Sequence, residues 1–530
     1  MPSLQARQEK IQNKRKQSSF RDFLLEVASR YTINLHRNQW QLARYPNNDR
    51  TVHIIPEKEY AALGNQVNDL HYDNNRPFFE QFRDLRLRHK HPHQLTFKQN
   101  ENADFADVVF GVKNAYLSFT LGNQAENIAY STVVYTHCND IYNCVKVTNN
   151  SQNIYYCKSV TQSFNVFYSR YINNSSDIRF SSNLTGCKEC LFCDNLVNQQ
   201  YCIENVTYEK DIYLQKKTEI LNQKDKFDSY FARVSNTATN YDADNCQGEW
   251  VSFSSNIENG YYVTRATNGR NMMFVDGINH ANNYYDVFEA GVNSDDFYAV
   301  SNAGTGSNHL YCSRQVESSS HLFYCYYMEH CSYCLGCIWL KNASYCILNK
   351  QYSKDERHDL VDQIFSTMEE KWVLWLVGPG WINPFYFNDT AAYMIDDSFT
   401  KEEVTKLWYL RRDEPIKVDI PADAEVMKVS ELGKFEWRKN TLSWVVAKPA
   451  CSTDRDPGQQ INNLDSSVAT LSQNDEKKRD IDPAILSKII VDEQGNYYRI
   501  IQMEYDFLMK YALPLPRKHR LDRMKENFRL

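Results

Sequence analysis

A chain of 530 residues with net charge −6 is long enough to bury several cores, so size alone calls for neither disulfides nor a metal. The acidic balance excludes a protein that coats nucleic acid with its whole surface, and 17 Gly with 14 Pro exclude a low-complexity chain. The 36 Tyr, with a visible excess of Asn, favour a β-rich protein with polar ladders.

The first 20 residues are basic and amide-rich where an export signal would have an apolar run. Residues 1–30 predict a helix with an apolar face of Phe20, Phe23, Leu24 and Val27 behind a basic leader. A second helix is expected within 73–92, with Pro77 in its first turn and a cationic end at Arg83, Arg86, Arg88, His89, Lys90 and His91.

From residue 114 a five-residue unit recurs: Asn or an acid, an apolar residue, any residue, an aromatic or Leu, then Ser or Cys. It reads NAYLS (114–118), NIAYS, DIYNC, NIYYC, NVFYS, DIRFS, ECLFC and NQQYC (198–202), in steps of 13, 13, 13, 12, 12, 12 and finally 9. A second series runs from NGYYV (259–263) to NASYC (342–346), and its units end 143–145 residues after their counterparts. The copy continues beyond the units: YCIENVTYEKD (201–211) returns as YCILNKQYSKD (345–355). The third unit of both series has a polar fourth residue, Asn143 or Asp286.

Short strands that stack at about 4.8 Å bring like residues over like. The expectation is a mainly β fold: a duplicated, parallel β-helix-like solenoid with an amide ladder, flanked by helical and small α/β regions. The spacing leaves open one or two units per coil, and the bulky inward aromatics favour the wider coil. Expected segments are 1–100, the arrays 101–208 and 246–353, a cap and connector 209–245, a cap with an α/β region 354–445, a linker 446–482 and a final region 483–530. The caps are helices that hide the open strand ends. In 483–530 two β runs surround Gln494-Gly495-Asn496, followed by a helix and a tail with Arg517, Lys518, His519, Arg520, Arg523, Lys525 and Arg529.

Of 15 cysteines, 14 lie between Cys138 and Cys346. Without an export signal they read as reduced thiols in a cytoplasm. Cys144, Cys157, Cys193, Cys202, Cys312, Cys325, Cys337 and Cys346 end units where Ser stands elsewhere, which suits small buried filler and no cofactor. The alternative is zinc or an iron–sulfur cluster on Cys187, Cys190, Cys193 and Cys202 and on Cys331, Cys334, Cys337 and Cys346. Against it, residues three apart in one strand face opposite sides.

Several strings together resemble a known family: NRPFFEQFRDL (75–85), NAYLSF (114–119), LKNASYCILNKQYSKDE (340–356), NPFYFNDTAAYM (383–394) and YRIIQMEYDFLMKYALPLPR (498–517). They are similar to an uncharacterised cysteine-rich repeat family of small-genome, candidate-phyla bacteria. The resemblance implies a repeat-bearing middle between zinc-ribbon-like knuckles. Here Val491, Gln494, Lys518 and His519 stand where knuckle cysteines would fall, so the terminal hairpin is expected to hold by apolar packing.

No phosphate loop or nucleophile elbow is present. The first expectation for function is therefore a non-catalytic scaffold or binding protein with an unknown macromolecular partner and no membrane span. RNA or a ribosome would be met through Arg83, Arg86, Arg88, Lys90, Arg517, Lys518, Arg520 and Arg523. The rival is a carbohydrate-active β-helix enzyme using carboxylates among Asp276, His280, Asp286, Glu289, Asp295 and Asp296. A metal or redox protein on the thiols is the third reading.

Overall fold

The computed structural model describes residues 19–244, 306–436 and 479–528 apart from short breaks, and between 245 and 305 mainly isolated strands. The chain forms two compact units, Met1–Lys417 with Arg520–Leu530, and Val418–His519.

The first unit is built on a β-solenoid whose sheet has 17 strands. One unit makes one coil: Ile141 pairs with Ile154 and Val147 with Val160, thirteen residues on, and Val166 pairs with Ile178, twelve on. The coil is thus the narrow one, and the wide coil favoured by the aromatic residues is corrected. Those rings lie outside the tube.

Narrowness comes from the corners. Asn153, Tyr156, Ser159 and Gln162 have φ of 58°, 58°, 55° and 47°, and Asn165, Tyr168, Tyr171 and Asn174 repeat the pattern. A left-handed residue at every third position turns the chain four times per coil, leaving three residues to a wall. Each such residue other than Gly carries a steric cost. The cost is offset by backbone bonds between coils, such as Tyr156 N–H to the Tyr142 carbonyl at 2.9 Å and Tyr168 N–H to Tyr155 at 2.9 Å. Asn tolerates this backbone better than most residues, which accounts for part of its abundance.

One residue per wall points to the axis. In consecutive coils these are Ile154, Cys157, Val160 and Ser163, then Val166, Ser169, Ile172 and Ser175, all buried. The first and third walls are aliphatic, the second and fourth Ser or Cys. The small polar residues also carry hydrogen bonds along the tube. Ser163 Oγ donates to the Thr161 carbonyl at 2.7 Å and accepts from Ser175 N–H one coil on at 3.1 Å. Cys144 Sγ serves alike for Cys157 N–H at 3.4 Å. Ser and Cys therefore interchange in these walls because both accept that N–H.

The expected amide ladder stands on the corner before the first wall. Asn102, Asn114 and Asn127 are linked at 2.9 Å each, Asn127 reaches Asp140 at 3.0 Å, and Asn153, Asn165 and Asp177 continue at 3.0 and 2.9 Å. On the next corner Tyr156, Tyr168, Phe180 and Phe192 stack at 5.4 Å. Phe227, Tyr230 and Phe231 meet this stack edge-on at 4.9–5.1 Å. Helix Arg520–Phe528 covers the lower end of the same corner. There Glu526 accepts from Tyr156 Oη at 2.5 Å, and Asn527 Nδ2 donates to the Asn143 carbonyl at 3.0 Å. The polar exception Asn143 is thus a buried docking point; Asp286 lies outside the described residues.

The second array follows the same rule between Ser307 and Asn349. Leu310 pairs with Leu322, Val316 with Met328, and His309, Gln315, His321 and Tyr327 are left-handed corners. Gly336 is a corner at φ +61° where an added Cβ would lie 2.8 Å from the Phe78 ring. Phe78 opens helix Phe78–Arg88, with Pro77 at its N-cap, on that side of the array. Helix Lys354–Glu370 covers another side through Phe365, 5.0 Å from the Phe323 ring. The expected helix near the N-terminus is Phe20–Glu26, capped by Ser19 and Asp22.

The second unit pairs Val426–Lys428 with Ile489–Val491, and the latter with Tyr497–Tyr498. In the intervening turn Asp492 Oδ1 accepts from Gln494 N–H at 3.0 Å and Asn496 N–H at 2.8 Å. The hairpin is therefore tied by a carboxylate as well as by the buried Ile489 and Ile490. Most of the expected linker 446–482 lies outside the described residues.

Candidate functional site

The corner at every third position decides where the thiols point. Cys187, Cys190 and Cys193 lie on three successive walls, and each faces the axis; so do Cys331, Cys334 and Cys337. The expectation that residues three apart face opposite sides is corrected, because a left-handed residue intervenes each time: Glu189 and Phe192, or Tyr333 and Gly336.

The single filler column also divides. Cys144, Cys157, Cys193, Cys325 and Cys337 occupy the second wall, and Cys138, Cys187 and Cys331 the fourth. Cys202 sits in register with Cys190 on the first, aliphatic wall, as Cys346 does over Cys334. The closing step of nine residues is three walls instead of four. Cys312 is a corner residue at φ 50°, buried outside the tube among Tyr311, Tyr324 and other flanking residues, while Ser313 takes the inward place.

At the two thiol-rich ends the sulfurs meet in pairs. Cys190 stacks in register with Cys202 on the first wall, with Cys187 and Cys193 facing the axis from the adjoining walls, and Cys334 stacks with Cys346 beside Cys331 and Cys337. The bond from Cys190 brings the Cys187 thiol down to about 6, and bonds from Cys337 and Cys346 lower that of Cys334. Cys190, set between the Cys187 and Cys193 thiols, is pushed up, and burial raises Cys331 to about 12. Among the described residues no three His, Cys, Asp or Glu side chains are gathered as a metal site.

Beside each end stands a buried polar side chain that sequence reasoning missed. Arg357, on helix Lys354–Glu370, is 1% exposed; its Nε has no hydrogen-bond partner and its Nη1 lies 3.5 Å from His358 Nδ1. Its electrostatic neighbours include Cys334, Cys325 and Cys337. Tyr213, two residues past the copied string YCIENVTYEKD as Arg357 is past YCILNKQYSKD, is fully buried, with Glu189 and Cys190 as its neighbours. The signal was that coincidence: a polar tip on a buried helix face, at one position of a repeated block.

The surface cations separate into two groups. Arg86 donates to the Ile382 carbonyl from inside the unit, Arg520 to Asn34 Oδ1 at 2.6 Å, and Arg523 lies over the Tyr130 ring at 4.9 Å; all three are buried. Their assignment to nucleic acid is corrected, since a guanidinium inside the fold reaches no phosphate. Arg83, Arg88, Lys90, Arg517 and Lys518 remain at the surface to different degrees, with Lys90 3.5 Å from Glu59 and Arg517 3.7 Å from Glu436. Asp276, His280, Asp286 and Glu289 lie outside the described residues. Asp295 and Asp296 fall in strand Ser294–Tyr298, which pairs in parallel with Asn308–Tyr311.

The fold and these ends define a β-solenoid protein with thiol-rich coil termini. Compared with known families, curated proteins and solved structures, the chain shows no match to any of the three. Among the described residues no helix is long and apolar enough to cross a membrane.

Proposed function

We propose that the protein is a non-catalytic binding scaffold whose contact surface is the open side of the first array. The observation that carries this reading is how its four walls are used. The corner between the first and second walls is covered by the chain's own helices. The second wall is tied to the 234–239 segment: Arg170 donates to the Val234 carbonyl at 2.8 Å and Tyr171 Oη to Asn236 at 2.8 Å. Among the described residues the third wall has no such cover in its upper coils. Beyond the buried Thr148 it presents Thr161, Asn173, Thr185 and Val197, with Asn149, Gln162, Asn174, Gly186 and Asn198 at its corner.

No Asp, Glu, Lys or Arg stands in either row, in a chain of which 24% of residues are charged. A regular, uncharged row of hydroxyls and amides suits contact with a neutral surface better than counter-ion exchange with phosphates. Burial of Arg86, Arg520 and Arg523 points the same way, leaving the RNA reading to the remaining exposed cations.

The test compares wild type with Thr161→Lys/Asn173→Lys for retention by ribosomes, total RNA and insoluble neutral polysaccharides over a salt series. Retention that resists salt and is lost in the double variant is expected. Retention that disappears with salt and ignores the two lysines would contradict the proposed surface, and release of soluble sugar would contradict a non-catalytic role.

A further inference from the structure

The last coils break the filling rule of the middle ones. On the first wall Ile154, Val166 and Ile178 give way to Cys190 and Cys202; in the second array Leu310 and Leu322 give way to Cys334 and Cys346. Filler does not account for this. A thiol occupies less volume than the aliphatic it replaces, and a tube with one inward residue per wall has no neighbour to take up the slack. Nor does the hydrogen-bond relay of the Ser and Cys walls account for it, since the aliphatic wall has none.

The second observation is Arg357. A guanidinium removed from water without an anionic partner is costly, and among the described residues no carboxylate lies within ion-pair distance of this one. The groups with the strongest electrostatic influence on it that can carry negative charge are the thiols of Cys334, Cys325 and Cys337 and the Tyr333 hydroxyl. An anionic complex built on thiolates would answer both the substituted wall and the unpaired cation.

We propose that the thiol-rich end of each array binds one soft monovalent cation of the copper(I) class between two thiolates. The pairs that strand register stacks on the first wall are Cys334 with Cys346 and Cys190 with Cys202, each beside a further inward thiol, Cys337 or Cys193, on the next wall. Two thiols give up their protons and two sulfur–metal bonds form, so 2 RSH + M⁺ becomes [RS–M–SR]⁻ + 2 H⁺. No electron is transferred. The product carries one negative charge, which Arg357 balances in the second array.

Thiolates favour soft cations, and low coordination needs only a sulfur pair, whereas a structural zinc site needs four donors around one point. Among the described residues the latter is not assembled. In the first array the corresponding helix position holds neutral Tyr213, so that end binds more weakly.

The test uses the full chain, reduced and metal-free, titrated anaerobically with copper(I) against a coloured copper(I) chelator, with silver(I) as a redox-inert second probe. Two equivalents of unequal affinity are expected, each releasing about two protons. Cys334→Ser should remove the tighter equivalent, Cys190→Ser the weaker, and Cys144→Ser in a middle coil neither. Arg357→Met should keep both equivalents but weaken the tighter by about tenfold, roughly 1.4 kcal/mol. Circular dichroism on each variant separates lost binding from lost fold. Undiminished uptake in folded Cys334→Ser and Cys190→Ser, no uptake by wild type, or zinc held at the same sites in preference to copper(I) would overturn the proposal.

Discussion

At the corner before the first wall, the first array carries a chain of amides and the second a stack of rings. Asn153, Asn165 and Asp177 pass hydrogen bonds upward at 2.9–3.0 Å, whereas His309, His321, Tyr333 and Tyr345 stack at 4.5–5.3 Å with planes within 20° of parallel. The backbone beneath is alike: φ is 58°, 55° and 58° at the amides and 50°, 55°, 55° and 59° at the rings. What the two arrays share is therefore the left-handed turn at every third residue and the inward residue after it. The outer corner is free to hold whatever side chains like to lie over their own kind.

The comparison breaks most visibly at an inward position. Ile154→Asp is expected to abolish folding, because an unpaired charge on the axis costs several kcal/mol out of a total of roughly 5–15. Thr161→Asp, on the outer face of the same coil, should leave a soluble protein with a nearly unchanged thermal midpoint. Ile154→Ala should cost about 2–5 kcal/mol in denaturant unfolding, since nothing else enters the cavity.

The corners should respond more mildly, and to a similar extent in both arrays. Asn165→Ala removes a bond to Asp177 and the one from Asn153, for about 1–2 kcal/mol. His321→Ala opens the ring stack for about 0.5–1.5 kcal/mol. A loss of more than about 4 kcal/mol at either corner would mean that the corners, not the walls, hold the array.

Acidification sharpens the contrast differently. Burial lowers the pKa of His36, His93 and His321 below 6.5. The unfolded chain then takes up these protons first, so stability is full above about pH 6.5 and falls as pH drops below it. Thermal midpoints measured from about pH 7.5 to about pH 5.5 should decline, and His93→Gln should flatten the slope. The smallest effect is expected at Ser169→Cys in the second wall, within about 1 kcal/mol, because either side chain accepts the N–H of the next coil.

Much of this frame was legible in the residues. Units with steps of 12–13 announced stacked strands, their leading Asn announced the ladder, and Ser alternating with Cys announced a tight inward column. Three things were hidden by reading strands as flat. Alternation of side chains assumes extended backbone throughout, but Tyr156 and Tyr168 are left-handed, so facing repeats every three residues. That one fact misplaced the Cys-x₂-Cys-x₂-Cys segments, put Cys202 and Cys346 in the wrong wall and left the nine-residue step unexplained. Arg86, Arg520 and Arg523 looked like surface charge because local sequence does not show which helix face a distant segment covers. Nothing near Arg520 in the chain announces that Asn34 is its partner.

The most direct test is a cysteine scan of residues 172–178, which run from the third wall through the fourth to the first wall of the next coil, read by peptide mapping after brief exposure to a charged thiol reagent. Protection at 172, 175 and 178 with labelling at 173, 174, 176 and 177 is the pattern expected from Ile172, Ser175 and Ile178 facing the axis. Protection at every second residue would contradict the three-residue wall, and with it the placement of every thiol.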